Sequence, residues 1–269
     1  MLDWITRSYP VAVVRRFVEL ELLDRSFGLA AQAFVALLPL VIIVVSVFAT
    51  SNGQVIADQI IDRFGIEGPA QGSVRALFES PVATFAISWS ALLLIAYSAF
   101  SLSRKLSRAY GAIFMLPPLA RNELWRGLVW VGLQVVMLTL TSGLRSLWRN
   151  NDGAFIQAIA VIALLAAWFA LDAFGLKLLV PTISRRLLLP TAAVSLIGRI
   201  GLLGWAAVYM PRTLESKAEQ FGPIGVTFAL FTLILVGVVV TLLAPLLVAV
   251  WDQRRRGVLA DAVGVAQTT

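Results

Sequence analysis

GLAAQAFVALLPLVIIVVSVFA, residues 28–49, is a run of 22 residues with no charged side chain. Coiled as a helix at about 1.5 Å per residue it covers roughly 33 Å, the thickness of a bilayer's hydrocarbon core. A cleaved secretory signal would have an apolar stretch of about 7–15 residues close to the N-terminus. This run is longer and follows 27 residues that already carry charges, so it reads as a retained span. Working outward, five more runs have the same character: residues 82–102, 127–148, 154–174, 191–209 and 225–250. The fifth is the weakest, because Arg199 interrupts it. Barrel strands are excluded, since those are about 10 residues long with alternating polarity. The expected fold class is all-α, a polytopic membrane helix bundle of about six transmembrane helices with an N-terminal interfacial helix.

Composition agrees. Hydrophobic residues make up 59% and charged residues 14% of the chain, and mean hydropathy is +0.87. A water-facing shell needs about 25% charged residues. The net charge is +7, which invites a nucleic-acid reading, but the distribution of cations argues against it. With the N-terminus inside, fifteen lysines and arginines fall on the inner side: four before residue 28, five after the second run, three after the fourth, and Arg254, Arg255 and Arg256 in the tail. Six fall outside: Arg63, Arg75, Arg145, Arg149, Arg212 and Lys217. That bias over short loops places both termini in the cytoplasm. The basic pI is topology, and no nucleic-acid partner is expected. Membrane lipids are, with a homo-oligomer or envelope proteins as further candidates.

The chain divides into a cytoplasmic amphipathic segment 1–27, a membrane domain 28–250 and a basic cytoplasmic tail 251–269. Residues 10–25 fit a helix along the inner interface, with Pro10 in its first turn and Val14, Phe17, Val18 and Leu22 on one apolar face. On this reading the chain turns inward at Gly28, and the tail beyond Gly257 is disordered. The extracytoplasmic loop 50–81 sets Ile56, Ile60 and Phe64 at helical spacing, with a second short helix at 73–79, which predicts a compact cap.

Arg199 is the most informative position. It is the ninth residue of the fifth run, near mid-membrane, where an unpaired charge costs at least about 2.5–3.5 kcal/mol. Asp172, at the inner end of the fourth run, is the candidate charge partner. Two readings stand open: structural pairing, or a guanidinium facing a polar cavity as an anion or substrate contact. Gly198, Gly201 and Gly204 flank Arg199 at spacings of three, a small-residue stripe suited to helix packing. Gln32, Gln134 and Gln157 place amides inside the first, third and fourth runs, where interhelical hydrogen bonds are the simpler role. Pro39 and Pro245 can kink the first and last spans. The sequence contains no His and no Cys, no phosphate-cradling loop and no paired intramembrane carboxylates. No catalytic residue, metal site or cofactor is expected.

Three stretches together resemble the YihY/virulence factor BrkB family. DRSFGLAAQAFVALLPLVIIVVSVF (24–48) is similar to its first-span signature, SLSRKLSRAYGAIF (101–114) to its basic loop after span two, and EQFGPIGV (219–226) to the start of its last span. Arg199 falls where relatives place a lysine, while Gln32 and Phe34 depart from the small or tyrosine residues common there. The resemblance implies a bacterial inner-membrane protein of six spans. Members have carried a ribonuclease label, a virulence label and suggestions of envelope-lipid export. The expectation is therefore a transport-related protein for an anionic lipid or other envelope component, not an enzyme. The alternative is a non-transporting scaffold acting through the outer loop.

Overall fold

A computed structural model describes residues 9–48, 57–58, 61–62, 71–72, 75, 89–120, 123, 125–149 and 153–256. Seven helices account for most of them: α1 Tyr9–Glu19, α2 Leu22–Phe48, α3 Trp89–Phe114, α4 Trp125–Arg149, α5 Ala154–Leu179, α6 Arg185–Phe221 and α7 Pro223–Arg255. Among the described residues there is no strand. Among the described residues, three helices are long and apolar enough to cross a membrane, over Phe155–Leu179, Arg185–Phe221 and Ile224–Arg255. Only 17%, 11% and 39% of their most apolar windows is buried inside the protein. Apolar side chains left outside in this proportion require an apolar surrounding.

Several boundaries differ from the sequence reading for local reasons. The expected helix over 10–25 is two helices. Glu21 adopts a left-handed φ of 50°, the Leu20 carbonyl accepts a 2.9 Å bond from Arg25 Nε, and α2 then runs past Gly28 without turning. The expected single apolar face divides as well. Val14 and Val18 are 63% and 68% exposed, whereas Leu22 is fully buried and Val13 is the buried residue of α1. The basic stretch 101–114 is the last half of α3 rather than a loop. Its Ser103 and Ser107, one turn apart, are buried together with Leu106, Tyr110 and Ile113, while Lys105 and Arg108 stay exposed. The fifth segment is far longer than 19 residues: α6 is a continuous 37-residue helix, because Arg199 finds partners on α5 and does not end it. Of the expected outer cap, Ile56, Ile60 and Phe64 lie outside the described residues, as do most of 73–79, the first residues of the second span and the tail from Gly257.

The chain forms two compact units. Unit 1 comprises Met1–Arg25, Ser103–Arg199 and Val239–Thr269; unit 2 comprises Ser26–Leu102 and Ile200–Val238. The ranges of unit 2 hold only four of the 22 lysines and arginines (Arg63, Arg75, Arg212 and Lys217), and the other 18 fall in unit 1.

Unit 1 is tied together by buried polar contacts. Ser107 donates to the Leu179 carbonyl at the end of α5 (2.8 Å) and accepts from the Leu119 N–H (2.9 Å). One hydroxyl thus satisfies two backbone groups that would otherwise be orphaned. α4 and α5 pack directly on each other. Lys177 turns back to the carbonyls of Pro181 (2.6 Å) and Ile183 (3.3 Å), closing the end of α5. Tyr9 at the start of α1 donates to the Leu247 carbonyl in α7 at 2.8 Å. Burial raises the Tyr9 hydroxyl above the ordinary phenol range, and the nearby Arg254 partly opposes the shift.

Unit 2 has its own apolar cluster. Ala57 and Ile61, one turn apart, pack with Ala206, Met210, Leu214 and Ala218 of α6 and Val226 and Ala229 of α7. Outside the cluster, Arg75 pairs with Asp58 at 3.0 Å. The reversal between α6 and α7 takes a single residue. Gly222, at φ +58°, donates to Ala218 O (2.8 Å) as the end of α6, and its carbonyl accepts the Gly225 N–H (3.0 Å) as the start of α7. Pro223 occupies the first helical position of α7, where its missing N–H costs nothing. A Cβ at Gly225 would stand 2.0 Å from the Lys217 carbonyl oxygen. The two helix ends are therefore in backbone contact, and the EQFGPIGV motif is the chemistry of that turn.

Candidate functional site

α5 carries Trp168 and Asp172 four residues apart, so both project from one face. Arg199 of α6 meets them. Its Nη2 lies 2.5 Å from Asp172 Oδ1, and its Cζ sits 4.1 Å from the centroid of the Trp168 ring. The guanidinium is thus held at its edge by a carboxylate and on its face by an indole. Each contact offsets part of the cost of placing a cation in an apolar span, the stacking by about 2 kcal/mol when desolvated. The side chains are largely sequestered, at 29% exposure for Arg199 and 11% for Asp172. Tyr110, buried on α3, lies within the field of both charges.

The pairing is incomplete. Asp172 Oδ2 and Arg199 Nε are both buried and have no hydrogen-bond partner. A guanidinium has five N–H donors and a carboxylate about four acceptor positions. A single N–H···O contact leaves most of that capacity free, where a fork-to-fork pair would have used two. Such an arrangement can accept a second anionic or hydrogen-bonding group without being dismantled.

Beside Arg199, a Cβ at Gly198 would come 2.9 Å from Val240 Cγ1 of α7, so α6 and α7 approach closely there. At Gly201 and Gly204 a Cβ would meet nothing within 4 Å. Among the described residues, the small-residue stripe is therefore a packing feature at Gly198 only.

Of the residues singled out in the sequence, Arg199 and Asp172 come together. Gln157 sits 15 residues before Asp172 on α5, about 22 Å away along the helix axis. Gln134 is half-buried on α4. Gln32 is half-buried on α2 in unit 2, and its Oε1 is buried without a partner. Trp168 and Tyr110 were missed, yet one turn of α5 separates Trp168 from Asp172, a spacing readable in the sequence. Compared with protein families, curated proteins and solved structures, the chain finds no match.

Proposed function

We propose that this is a six-span inner-membrane protein of the YihY/BrkB type. It moves an anionic lipid or another anionic envelope component, with Arg199 as the anion-contacting residue. The observation carrying the reading is the half-used pair. A guanidinium deep in an apolar helix keeps Nε free, and the carboxylate beside it keeps Oδ2 free. A purely structural pair would gain by satisfying both. The absence of His and Cys from the sequence favours a carrier over an enzyme. In this arrangement α2, α3 and α4 supply the remaining spans, α1 lies at the inner interface and both termini are cytoplasmic. The excess of lysine and arginine in the N-terminal segment, in the stretches after the second and fourth apolar runs and in the tail supports that orientation. Reporter fusions after Arg256 and at Arg108 are expected to report cytoplasm, and fusions near Gly68 and Lys217 the outside. An external C-terminus would overturn the span order.

The function is tested by translocation of labelled phosphatidylglycerol in liposomes. Arg199→Lys keeps the charge but loses the planar fork, so it is expected to retain part of the rate. Arg199→Gln is expected to lose at least about tenfold, or about 1.4 kcal/mol, when the rate is taken per folded molecule. Translocation at the wild-type rate by Arg199→Gln would end the anion-site reading. The scaffold reading is favoured by one observation, the packing of Ala57 and Ile61 onto α6 and α7, which orders part of the outer loop. It requires that replacing the outer loop, and not Arg199, abolish the envelope phenotype.

A further inference from the structure

We infer that anion binding at Arg199 is coupled to uptake of one proton by Asp172, so the site binds an anion and a proton together and stays electrically neutral. The inference rests on the proposed anion site and adds its ion coupling.

The argument begins with charge. Arg199 and Asp172 sum to zero, joined by one contact of 2.5 Å. An arriving monoanion, a phosphate diester or a carboxylate, would bring the sum to −1 in a surrounding of low dielectric. A net charge buried there is costly, and groups so placed change protonation instead of bearing it. Among the described residues, the charged and titratable groups facing Asp172 are Arg199 from α6 and Tyr110 from α3. Tyr110 is already neutral as a phenol, and Arg199 does not deprotonate in proteins. Asp172 is the group left to absorb the change.

The geometry provides for the exchange. Asp172 Oδ2 is buried and unpartnered, so a proton can occupy it with no existing bond broken. The indole of Trp168, 4.1 Å below the guanidinium, holds Arg199 in place whether its edge faces Asp172 or the anion. In the balanced step, a proton from water joins the Asp172 carboxylate to give the neutral acid. The anion takes the guanidinium N–H donors that Asp172 does not use, Nε among them. Before and after, the site carries no net charge.

Two probes separate the sources of the anion: phosphatidylglycerol presented in nanodiscs of a zwitterionic lipid, and dimethyl phosphate, a soluble phosphate diester that does not titrate near neutral pH. The full-length protein is titrated with each in weakly buffered solution while proton uptake and Kd are followed. The expected result is about one proton taken up per anion bound, with affinity weakening about tenfold for each pH unit of increase while free Asp172 is ionised. Asp172→Asn is expected to bind without proton uptake and with a pH-independent Kd. The wild-type uptake decides the matter even if that variant does not fold. Binding lost in Arg199→Gln but accompanied by no proton uptake in the wild type would overturn the coupling and leave the anion site standing. Binding unaffected by Arg199→Gln, or no binding of either probe, would overturn both.

Discussion

Gly225→Val is expected to be the most damaging single substitution outside the charged pair, lowering stability by at least about 3 kcal/mol, at the upper end for overpacking. The obstacle is backbone: a Cβ at residue 225 would stand 2.0 Å from the carbonyl oxygen and 2.6 Å from the carbonyl carbon of Lys217. No rotamer change relieves such a contact, so the first turn of α7 must move away from the last turn of α6. That movement strains the one-residue turn at Gly222 and opens the cluster in which Leu214, Ala218, Val226 and Ala229 pack. Gly222→Ala, which faces open space at φ +58°, should lose only the left-handed penalty of about 1–2 kcal/mol. Gly201→Ala and Gly204→Ala meet nothing and should be neutral or slightly stabilising, since alanine is the better helix former by about 1 kcal/mol. Thermal unfolding in detergent should rank the four in that order. A Gly225→Val protein as stable as Gly201→Ala would mean that α6 and α7 are not in backbone contact.

Asp172→Asn is expected to cost about 3 kcal/mol, the lower end for removing one partner of a buried pair, because Arg199 retains 29% exposure through which to relax. Arg199→Gln alone leaves the less exposed carboxylate uncompensated and should cost at least as much. Removing both charges should recover a large part of the loss, giving a coupling of about 2–3 kcal/mol in the double-mutant cycle. The sign of that coupling follows from the contact in either functional reading. Independent, additive losses would show that the 2.5 Å contact contributes nothing and that each charge is stabilised by other groups. Paired with translocation rates for the same variants, the cycle separates stability from activity. A rate that tracks stability alone makes the pair structural. A rate lost in a variant of normal stability places it in the transport path.

Arg199 and Asp172 could be paired from sequence because charges inside apolar runs are rare and must find one another. Trp168 could not be singled out. In a chain with 8 tryptophans and 15 phenylalanines, an aromatic in an apolar run is equally at home facing lipid, and only the i, i+4 spacing to Asp172 marks it. The break between α1 and α2 was hidden because Glu21 is neither glycine nor proline, and a glutamate at φ 50° has no sequence signature. The second half of α3 was misread because its cations dominate the pattern. The informative residues were the small ones one turn apart, Ser103, which packs against Gly127 of α4, and Ser107, which bonds the end of α5. In the expected outer loop, Ile56, Ile60 and Phe64 lie outside the described residues, and the contacts described there are made by Ala57 and Ile61.

The bond from Tyr9 to Leu247 spans 238 positions of sequence, which bears on the order in which the protein is assembled. A ribosome adding about 5–20 residues per second takes roughly 10–50 s to travel from one to the other. Through that interval α1 has left the ribosome while the carbonyl that anchors it has not been made. α1 is thus seated late relative to its synthesis, and a nascent chain truncated before α7 leaves Tyr9 without the Leu247 carbonyl.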